Sequence, residues 1–161
     1  MSHKKDFKER NRKRFAEPKA EAYYETRKCH ITRYGIDMLD TGIKPKDFNK
    51  IPKIVRNTPD YLVVSSDAYL VEVKGCVKVA RFKIEDLKSY RKWNNVMPVF
   101  FFVYDKSKDE FVHIKFKDFE TLVKTNNYSI EVYPDNGKKY YPIPYDDIVP
   151  WDMTNSLTKE S

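Results

Sequence analysis

The chain has 161 residues, of which 40% are hydrophobic and 15% aromatic, and its formal net charge is +7 at pH 7. This length is typical of one domain, and the apolar content supports a buried core and excludes a collagen-like or broadly disordered chain. The longest mainly apolar run, 96–104, is far shorter than the roughly 20 residues of a membrane-spanning helix, and the Lys/Arg-rich start lacks the apolar stretch of a signal peptide.

The first predicted element is a helix from residue 7 to about residue 28, in which apolar residues recur at three- and four-residue steps. Pro18 either kinks this helix or starts a new one. If Pro18 lies in a first turn, where a missing N–H is tolerated, the helix begins near residue 17 and residues 1–16 form a basic arm. Residues 29–37 are predicted to be extended. Residues 41–58 have no clean period and are predicted to form a long connection.

Predicted strands and helices alternate through the middle of the chain. Runs rich in Val, Tyr and Phe predict strands, and an apolar stripe with a helical period predicts helices. These patterns give strands at 61–65 and 68–75, a helix over 84–95, strands at 99–104 and 110–116, and a short helix over 119–125.

The end of the chain is predicted to form a hairpin extension. Residues 129–153 contain the segment 135–137, Asp-Asn-Gly, which is a strong hairpin signal. Residues 154–161 are predicted to be a frayed tail. The expected organisation is therefore one mixed α/β domain with a core over 17–128.

The positive charge is concentrated in the first two-thirds of the chain. Residues 1–28 have a net charge of +5, whereas residues 129–161 have a net charge of −3. Such an excess attracts polyanions, so nucleic acid is the first partner to consider, although a Lys-rich surface can also be an ordinary solvated face. Cys29 and Cys76 form neither a disulfide framework nor a zinc-binding pair, which favours a reducing compartment. We expect no membrane role and a cytoplasmic location, in a bacterium or a phage-infected host.

Three charged residues interrupt the otherwise apolar hairpin predicted over 58–75. Glu72 and Lys74 are two residues apart on a strand, so their side chains project from one face. The turn around Ser66 brings Asp60, at the open end of the hairpin, beside them. An odd number of turn residues places Asp60 on the same face, whereas a two-residue turn points it away. A functional site therefore requires a turn with an odd number of residues, or a bulge.

Two carboxylates and an ammonium in one patch are suited to metal-assisted hydrolysis. Mg²⁺ prefers oxygen ligands, keeps several waters and is often shared with a substrate phosphate. A bound ion lowers the pKa of a water, and Lys74 can hold or deprotonate that water. The alternative interpretation is that Glu72 and Lys74 form only an ion pair at a sheet edge.

The sequence Pro59-Asp60, followed by Glu72-Val73-Lys74, resembles the signature of the PD-(D/E)XK nuclease superfamily. That superfamily includes type II restriction enzymes and Holliday junction resolvases. The resemblance implies a restriction-endonuclease-like αβββαβ core, with a central mixed sheet flanked by helices. It also implies a Mg²⁺-dependent deoxyribonuclease, in which Mn²⁺ can substitute. By the same resemblance Asp60, Glu72 and the Val73 carbonyl are metal ligands, and Lys74 positions the attacking water.

Two further positions follow from the resemblance, which extends over roughly residues 17–104. A Glu from the first helix often completes the metal site in that superfamily, and Glu21 is the best match here by position. Glu17 and Glu25 lie one turn on either side, so helical periodicity does not choose among the three. The helix after the lysine often supplies a Gln or a basic residue to the phosphate. The substitutes in this sequence are Lys88 and, second, Tyr90.

Basic residues near the motif and in the arm are predicted to contact DNA phosphates, which gives affinity without sequence information. They are Lys78, Arg81, Lys83 and Lys88 after the motif, and residues 4–14 of the arm, among them Arg12, Lys13 and Arg14. Trp93 and the exposed member of the Tyr23/Tyr24 pair are weaker candidates for stacking on bases.

The small size, without a separate recognition domain, resembles a structure-selective, junction resolvase-like endonuclease of DNA recombination, repair or replication. Cutting two strands would favour a homodimer. The alternative is a catalytically inactive nucleic-acid-binding or assembly protein that retains the fold. Charge does not distinguish DNA from RNA as the substrate.

Overall fold

The protein forms two β-sheets that are flanked by helices. The computed structural model describes residues 14–36 and 42–153. The predicted arm residues Arg12 and Lys13 and the predicted tail lie outside the described residues. The helices are α1 (Ala16–Thr26), α2 (Pro45–Phe48), α3 (Lys53–Arg56), α4 (Ile84–Asn94), α5 (Phe116–Asn126) and α6 (Tyr145–Ile148), followed by a 3-10 turn at Val149–Trp151; the strands are β1 (His30–Arg33), β2 (Tyr61–Val64), β3 (Ala68–Cys76), β4 (Val79–Lys83), β5 (Val99–Asp105), β6 (Glu110–Lys115), β7 (Glu131–Val132) and β8 (Lys139–Pro144).

The first sheet is mixed and has the strand order β1-β2-β3-β5-β6. Strands β3 and β5 are parallel, because α4 connects them, and the other neighbouring pairs are antiparallel. All seven residues of β5 are buried, as expected for a strand that is covered on both faces. The predicted α/β class with a central mixed sheet is confirmed. The helices and strands follow the predicted αβββαβ order, with the short helices α2 and α3 inserted after β1 and with β4 inserted after β3.

The turn between β2 and β3 has an odd number of residues, as a functional site requires. Val64 pairs with Ala68, so the three residues 65–67 form the turn. The same register, extended one step beyond β2, brings Asp60 opposite Glu72. The two carboxylates therefore share one face of the hairpin.

Helix α1 packs on one face of the first sheet. Ala16, Ala20 and Tyr24 recur every four residues and are buried against Val71 and other residues of β3 and β5. The helix begins at Ala16, which agrees with the later of the two predicted starts, near residue 17. Its proline, at position 18, lies in the first turn, where the missing N–H has no intrahelical partner.

Gly75 lets the start of α1 approach β3. A Cβ at this position would lie 2.9 Å from two ring atoms of Phe15 and 3.2 Å from the Cβ of Ala16. We expect Gly75→Ala to lower the free energy of unfolding by about 1–3 kcal/mol, because the helix must shift away from the strand. Urea unfolding measures the change, with the exposed α4 variant Lys88→Ala as the control. Equal stabilities of the two variants would contradict this packing.

The second sheet has the order β4-β8-β7 and is antiparallel. Strand β4 alternates: Ala80 and Phe82 are buried in the main core, whereas Arg81 lies on the other face. Strands β7 and β8 pair antiparallel within the predicted C-terminal extension, whereas β4 was not predicted. The predicted long connection also contains two short helices, α2 and α3. Within the described residues, no helix is long and apolar enough to cross a bilayer.

Candidate active site

An open cleft of about 610 Å³ contains the residues of the predicted motif. It is lined by parts of α1, β3 and α4 and by the second sheet. Its side chains include seven basic and four acidic groups. The four acidic groups are Glu17, Asp60, Glu72 and Asp86. The cleft therefore has a net positive lining around a small acidic centre, which suits a substrate phosphate beside a bound cation.

Asp60 is fixed by backbone groups on two sides. Its Oδ2 accepts a hydrogen bond of 2.9 Å from the Val73 N–H. Its own carbonyl oxygen accepts hydrogen bonds from the N–H groups of Tyr34 and Gly35, at 2.9 and 3.1 Å. The end of β1 and the middle of β3 therefore hold Asp60 in one orientation at the open end of the hairpin.

Glu72 and Lys74 form an ion pair next to Asp60. The distance from Lys74 Nζ to Glu72 Oε1 is 2.7 Å, and the two side chains are 20% and 8% exposed, respectively. Burial acts to lower the pKa of Lys74, but the charges of Glu72 and Asp86 outweigh it and raise that pKa, so Lys74 is a cation. Burial and the charge of Glu72 raise the pKa of Asp60. The two carboxylates thus repel each other, and a cation between them would relieve the repulsion.

Of the three candidate glutamates of α1, only Glu17 lines the cleft. Its Oε2 accepts a hydrogen bond of 3.0 Å from Arg33 Nη1. Glu21, the residue predicted to complete the metal site, instead accepts a 2.5 Å hydrogen bond from the Tyr61 hydroxyl outside the cleft. Glu25 is exposed and also lies outside it. The geometry favours Glu17 over Glu21, although the role of either residue stays a prediction.

The candidate metal ligands of the cleft are the carboxylates of Asp60 and Glu72. Among residues 14–36 and 42–153, no group of three or more His, Cys, Asp or Glu side chains is arranged to hold a metal ion. Asp60 and Glu72 form a pair of carboxylates that lie opposite each other in the hairpin register. Mg²⁺ is commonly bound through one or two carboxylates and keeps its other positions for water and phosphate oxygens, whereas structural zinc sites need four ligands.

Helix α4 contributes Tyr90 and Asp86 to the cleft, and not Lys88. Lys88 is exposed on another face of the helix. Burial raises the pKa of Tyr90, as do the neighbouring charges of Glu72 and Asp86 and a hydrogen bond to Glu72. Of the two predicted substitutes on this helix, the structure therefore brings only Tyr90 to the site. Asp86 was missed, although it lies four residues before Tyr90 on the same helix face.

The predicted phosphate-binding residues divide into two groups. Arg14, Arg81 and Lys83 line the cleft, whereas Lys78 and Lys88 do not. Lys78 has a positive φ of 66° in the turn between the two sheets. Sequence reasoning missed several further lining residues because they come from separate elements: Arg33, Arg56, Tyr133 and Lys138.

Two other reactive side chains lie away from the cleft. Cys76 is buried, and burial together with the charge of Asp105 raises the pKa of its thiol to about 12. His113 is fully buried, its Nε2 is 2.6 Å from the Tyr24 hydroxyl, and burial lowers its pKa to about 4. Neither group is placed to act on a substrate in the cleft. Trp93, a predicted stacking residue, packs against the core and donates its Nε1–H to a backbone carbonyl.

Comparison with known proteins shows similarity to solved structures and no match by sequence. No protein-family model matches the chain, and no curated protein matches its sequence. Among solved structures, the fold is similar to that of a nuclease from a fusselovirus, with 13% sequence identity over 86% of this chain and 82% of that chain, and a TM-score of 0.49. A similarity of this size does not transfer a function, so a function has to be argued from the cleft itself.

Proposed function

We propose that the protein is a metal-dependent nuclease that hydrolyses phosphodiester bonds in DNA. The observation that carries the proposal is the register of the β2–β3 hairpin, which brings Asp60 and Glu72 together beside Lys74 in a basic cleft. As the sequence resemblance implies, the substrates would be DNA structures formed in recombination, repair or replication. The homodimer stays a prediction.

In the proposed reaction centre, Asp60 and Glu72 would have a different role from Lys74. Asp60 and Glu72 would hold Mg²⁺, or Mn²⁺ in its place, and the Val73 carbonyl is a further candidate ligand. The bound ion would stabilise negative charge on the phosphate and lower the pKa of a water. Lys74 Nζ, 2.7 Å from a Glu72 oxygen, would position that water and offset the charge that develops in the transition state.

Glu17 is the candidate third carboxylate at the edge of the centre. Its negative charge acts on Asp60 and contributes to raising the pKa of that residue, so the two groups are close enough to interact. Arg33 holds Glu17 through the 3.0 Å hydrogen bond and also donates to the Tyr61 hydroxyl, at 3.2 Å. From this position Glu17 would orient a water molecule or complete the coordination of the ion.

We expect Glu17→Gln to slow cleavage by about 10- to 100-fold and to raise the Mg²⁺ concentration needed for half-maximal rate. Glu21→Gln should change the rate by less than about threefold, because Gln keeps an acceptor for the Tyr61 hydroxyl. Single-turnover cleavage across a Mg²⁺ titration measures both variants. The reverse order of effects would assign the role to Glu21, as the sequence alone suggests.

The test of the proposed function is a cleavage assay with the purified protein. Labelled single-stranded, duplex, flapped and four-way-junction DNA are incubated with Mg²⁺, Mn²⁺ or EDTA. Cutting that needs a divalent ion supports the proposal. No cutting of any of the four DNAs, despite tight and salt-sensitive binding, would contradict it.

That second outcome corresponds to a nucleic-acid-binding protein without catalysis. One observation favours this alternative: the ion pair of Glu72 and Lys74 balances both charges without a metal. Mg²⁺ binding separates the alternatives before any cleavage is measured. A catalytic centre should be stabilised by Mg²⁺ in a thermal melt, whereas a purely structural ion pair should not respond.

A further inference from the structure

One face of the second sheet lines the cleft. Along β4, Ala80 and Phe82 point into the core, so Arg81 and Lys83 lie on the opposite face. Both of these basic residues line the cleft, as does Tyr133, which follows β7. The sheet is therefore buried on one side and forms a basic and aromatic wall on the other.

Tyr133 is the aromatic residue of this wall. Its ring centroid is 4.2 Å from that of Tyr140, which is 5% exposed and therefore packs beneath it. The Arg81 guanidinium carbon and the Lys83 Nζ lie over the Tyr133 ring, 5.8 and 5.9 Å from its centroid, in cation–π contacts. The Tyr133 ring is itself half-buried. A supported ring next to cations is the arrangement that proteins use to stack on bases of single-stranded nucleic acid.

The wall is close to the proposed reaction centre. Burial raises the pKa of Tyr133, whereas the positive charges of Arg81 and Lys74 lower it. Lys74 and Tyr133 also line the same cleft. A base that stacks on Tyr133 would therefore belong to a nucleotide at or next to the phosphate that contacts the ion held by Asp60 and Glu72.

A ring that stacks on bases favours single-stranded over double-stranded nucleic acid. The bases of a double helix are paired and stacked on one another, so they are not free to stack on Tyr133. A short single-stranded segment has unstacked bases that can enter the cleft, whose volume of about 610 Å³ is in the usual range for pockets that bind small molecules.

We propose that the face of the second sheet that carries Arg81, Tyr133 and Lys138 binds an unpaired nucleotide beside the scissile phosphate. Tyr133 stacks on the base, and the two basic side chains contact the flanking phosphates. Lys138 is placed for this role because it lines the cleft and its carbonyl accepts the Tyr133 N–H, at 2.9 Å. The inference rests on the proposed nuclease function and narrows its substrate to single-stranded DNA, or to the single-stranded part of a branched DNA.

Binding tests this inference without cleavage. Fluorescence anisotropy in EDTA measures the affinity for a labelled single strand and for a duplex of the same length. We expect the wild type to bind the single strand more tightly, and Tyr133→Leu to weaken that binding roughly 5- to 150-fold with little change for the duplex. Tyr133→Phe should keep wild-type affinity. Tyr128→Leu is the matched control, since Tyr128 is also half-buried but lies outside the cleft.

A modified strand makes the test independent of any effect on folding. A short single strand and its abasic analogue have the same phosphates and differ only in their bases. The wild type should prefer the strand with bases, and Tyr133→Leu should lose most of this preference. Equal preferences in the two proteins would overturn the stacking role, as would duplex binding that is at least as tight as single-strand binding in the wild type.

The two proposals fail in different ways. Preferential binding of single strands that depends on Tyr133, without any cleavage in Mg²⁺, would support the binding wall and contradict the nuclease. Mg²⁺-dependent cleavage confined to duplex DNA and unchanged in Tyr133→Leu would support the nuclease and overturn the single-strand inference.

Discussion

Lys74→Ala is expected to reduce Mg²⁺-dependent cleavage by about 100- to 10,000-fold and to leave DNA affinity within about threefold of the wild type. The physical reason is the position of the ammonium group, 2.7 Å from Glu72 Oε1 in a mostly buried site. A charge held there contributes more to the transition state than to binding, because most of the cleft's positive lining remains when Lys74 is removed. Cleavage under single-turnover conditions and anisotropy in EDTA measure the two quantities.

Two further variants show whether a loss of cleavage is caused by a folding defect. Lys74→Ala removes both the packing of the side chain and the cation beside Glu72, whereas Lys74→Met keeps most of the packing and removes only the charge. Lys74→Met is therefore measured alongside, and both variants are melted in Mg²⁺. Lys88→Ala is the matched control, because Lys88 is exposed outside the cleft, and it should cleave like the wild type. Cleavage by a folded Lys74→Ala variant at the wild-type rate would remove Lys74 from the centre.

Asp60→Asn is expected to have opposite effects on activity and stability. Asn keeps an oxygen acceptor for the Val73 N–H but removes the negative charge opposite Glu72. Cleavage should fall by about 100-fold or more, because a metal ligand loses its charge. In EDTA the melting temperature should rise by about 2–4 °C, which corresponds to about 1 kcal/mol, because the repulsion between the two carboxylates is relieved.

Thermal melts with and without Mg²⁺ test both parts of this prediction. The wild type should be stabilised by Mg²⁺, and Asp60→Asn should lose that response. Asp67→Asn is the control, since Asp67 is an exposed carboxylate in the turn of the same hairpin and should keep it. An Asp60→Asn variant that melts below the wild type in EDTA, or that still responds to Mg²⁺, would contradict a two-carboxylate cation site.

The sequence was informative where structure depends on neighbours in the chain. The hairpin, α1 and α4 have clear local periods, and the structure confirms them. The residues of β4 also alternate, but β4 is a strand only because it pairs with β8, which lies far along the chain. Local patterns do not encode such a pairing, so β4 and the cleft wall that it forms could not be predicted.

The same distinction between local and long-range contacts explains which residues of the site could be predicted. Asp60, Glu72 and Lys74 lie on one hairpin, and a rule about turn length relates their positions. Glu17 and Glu21 differ by one helical turn, and their order of importance depends on how α1 sits against β3. That contact is set by the close approach of the helix to Gly75, which no periodicity shows.

The residues of the cleft wall were the hardest to find. Tyr133 is one of 12 tyrosines, and nothing in its local sequence separates it from those of the core. Arg33, Arg56 and Lys138 come from three different parts of the chain. Only the folded arrangement of the strands and loops brings these side chains into one cleft.

The connection between the two sheets has a mechanical consequence. Only two residues separate the end of β3 at Cys76 from the start of β4, and the backbone N–H of one of them, Lys78, is hydrogen-bonded to Asp105 at 3.3 Å. The far side of the second sheet is anchored by Phe82 and Ile143 in the core. The second sheet is therefore tied to the first sheet at the connection and to the core along one face. If the wall binds a strand as proposed, we expect it to do so without a closing movement of this sheet.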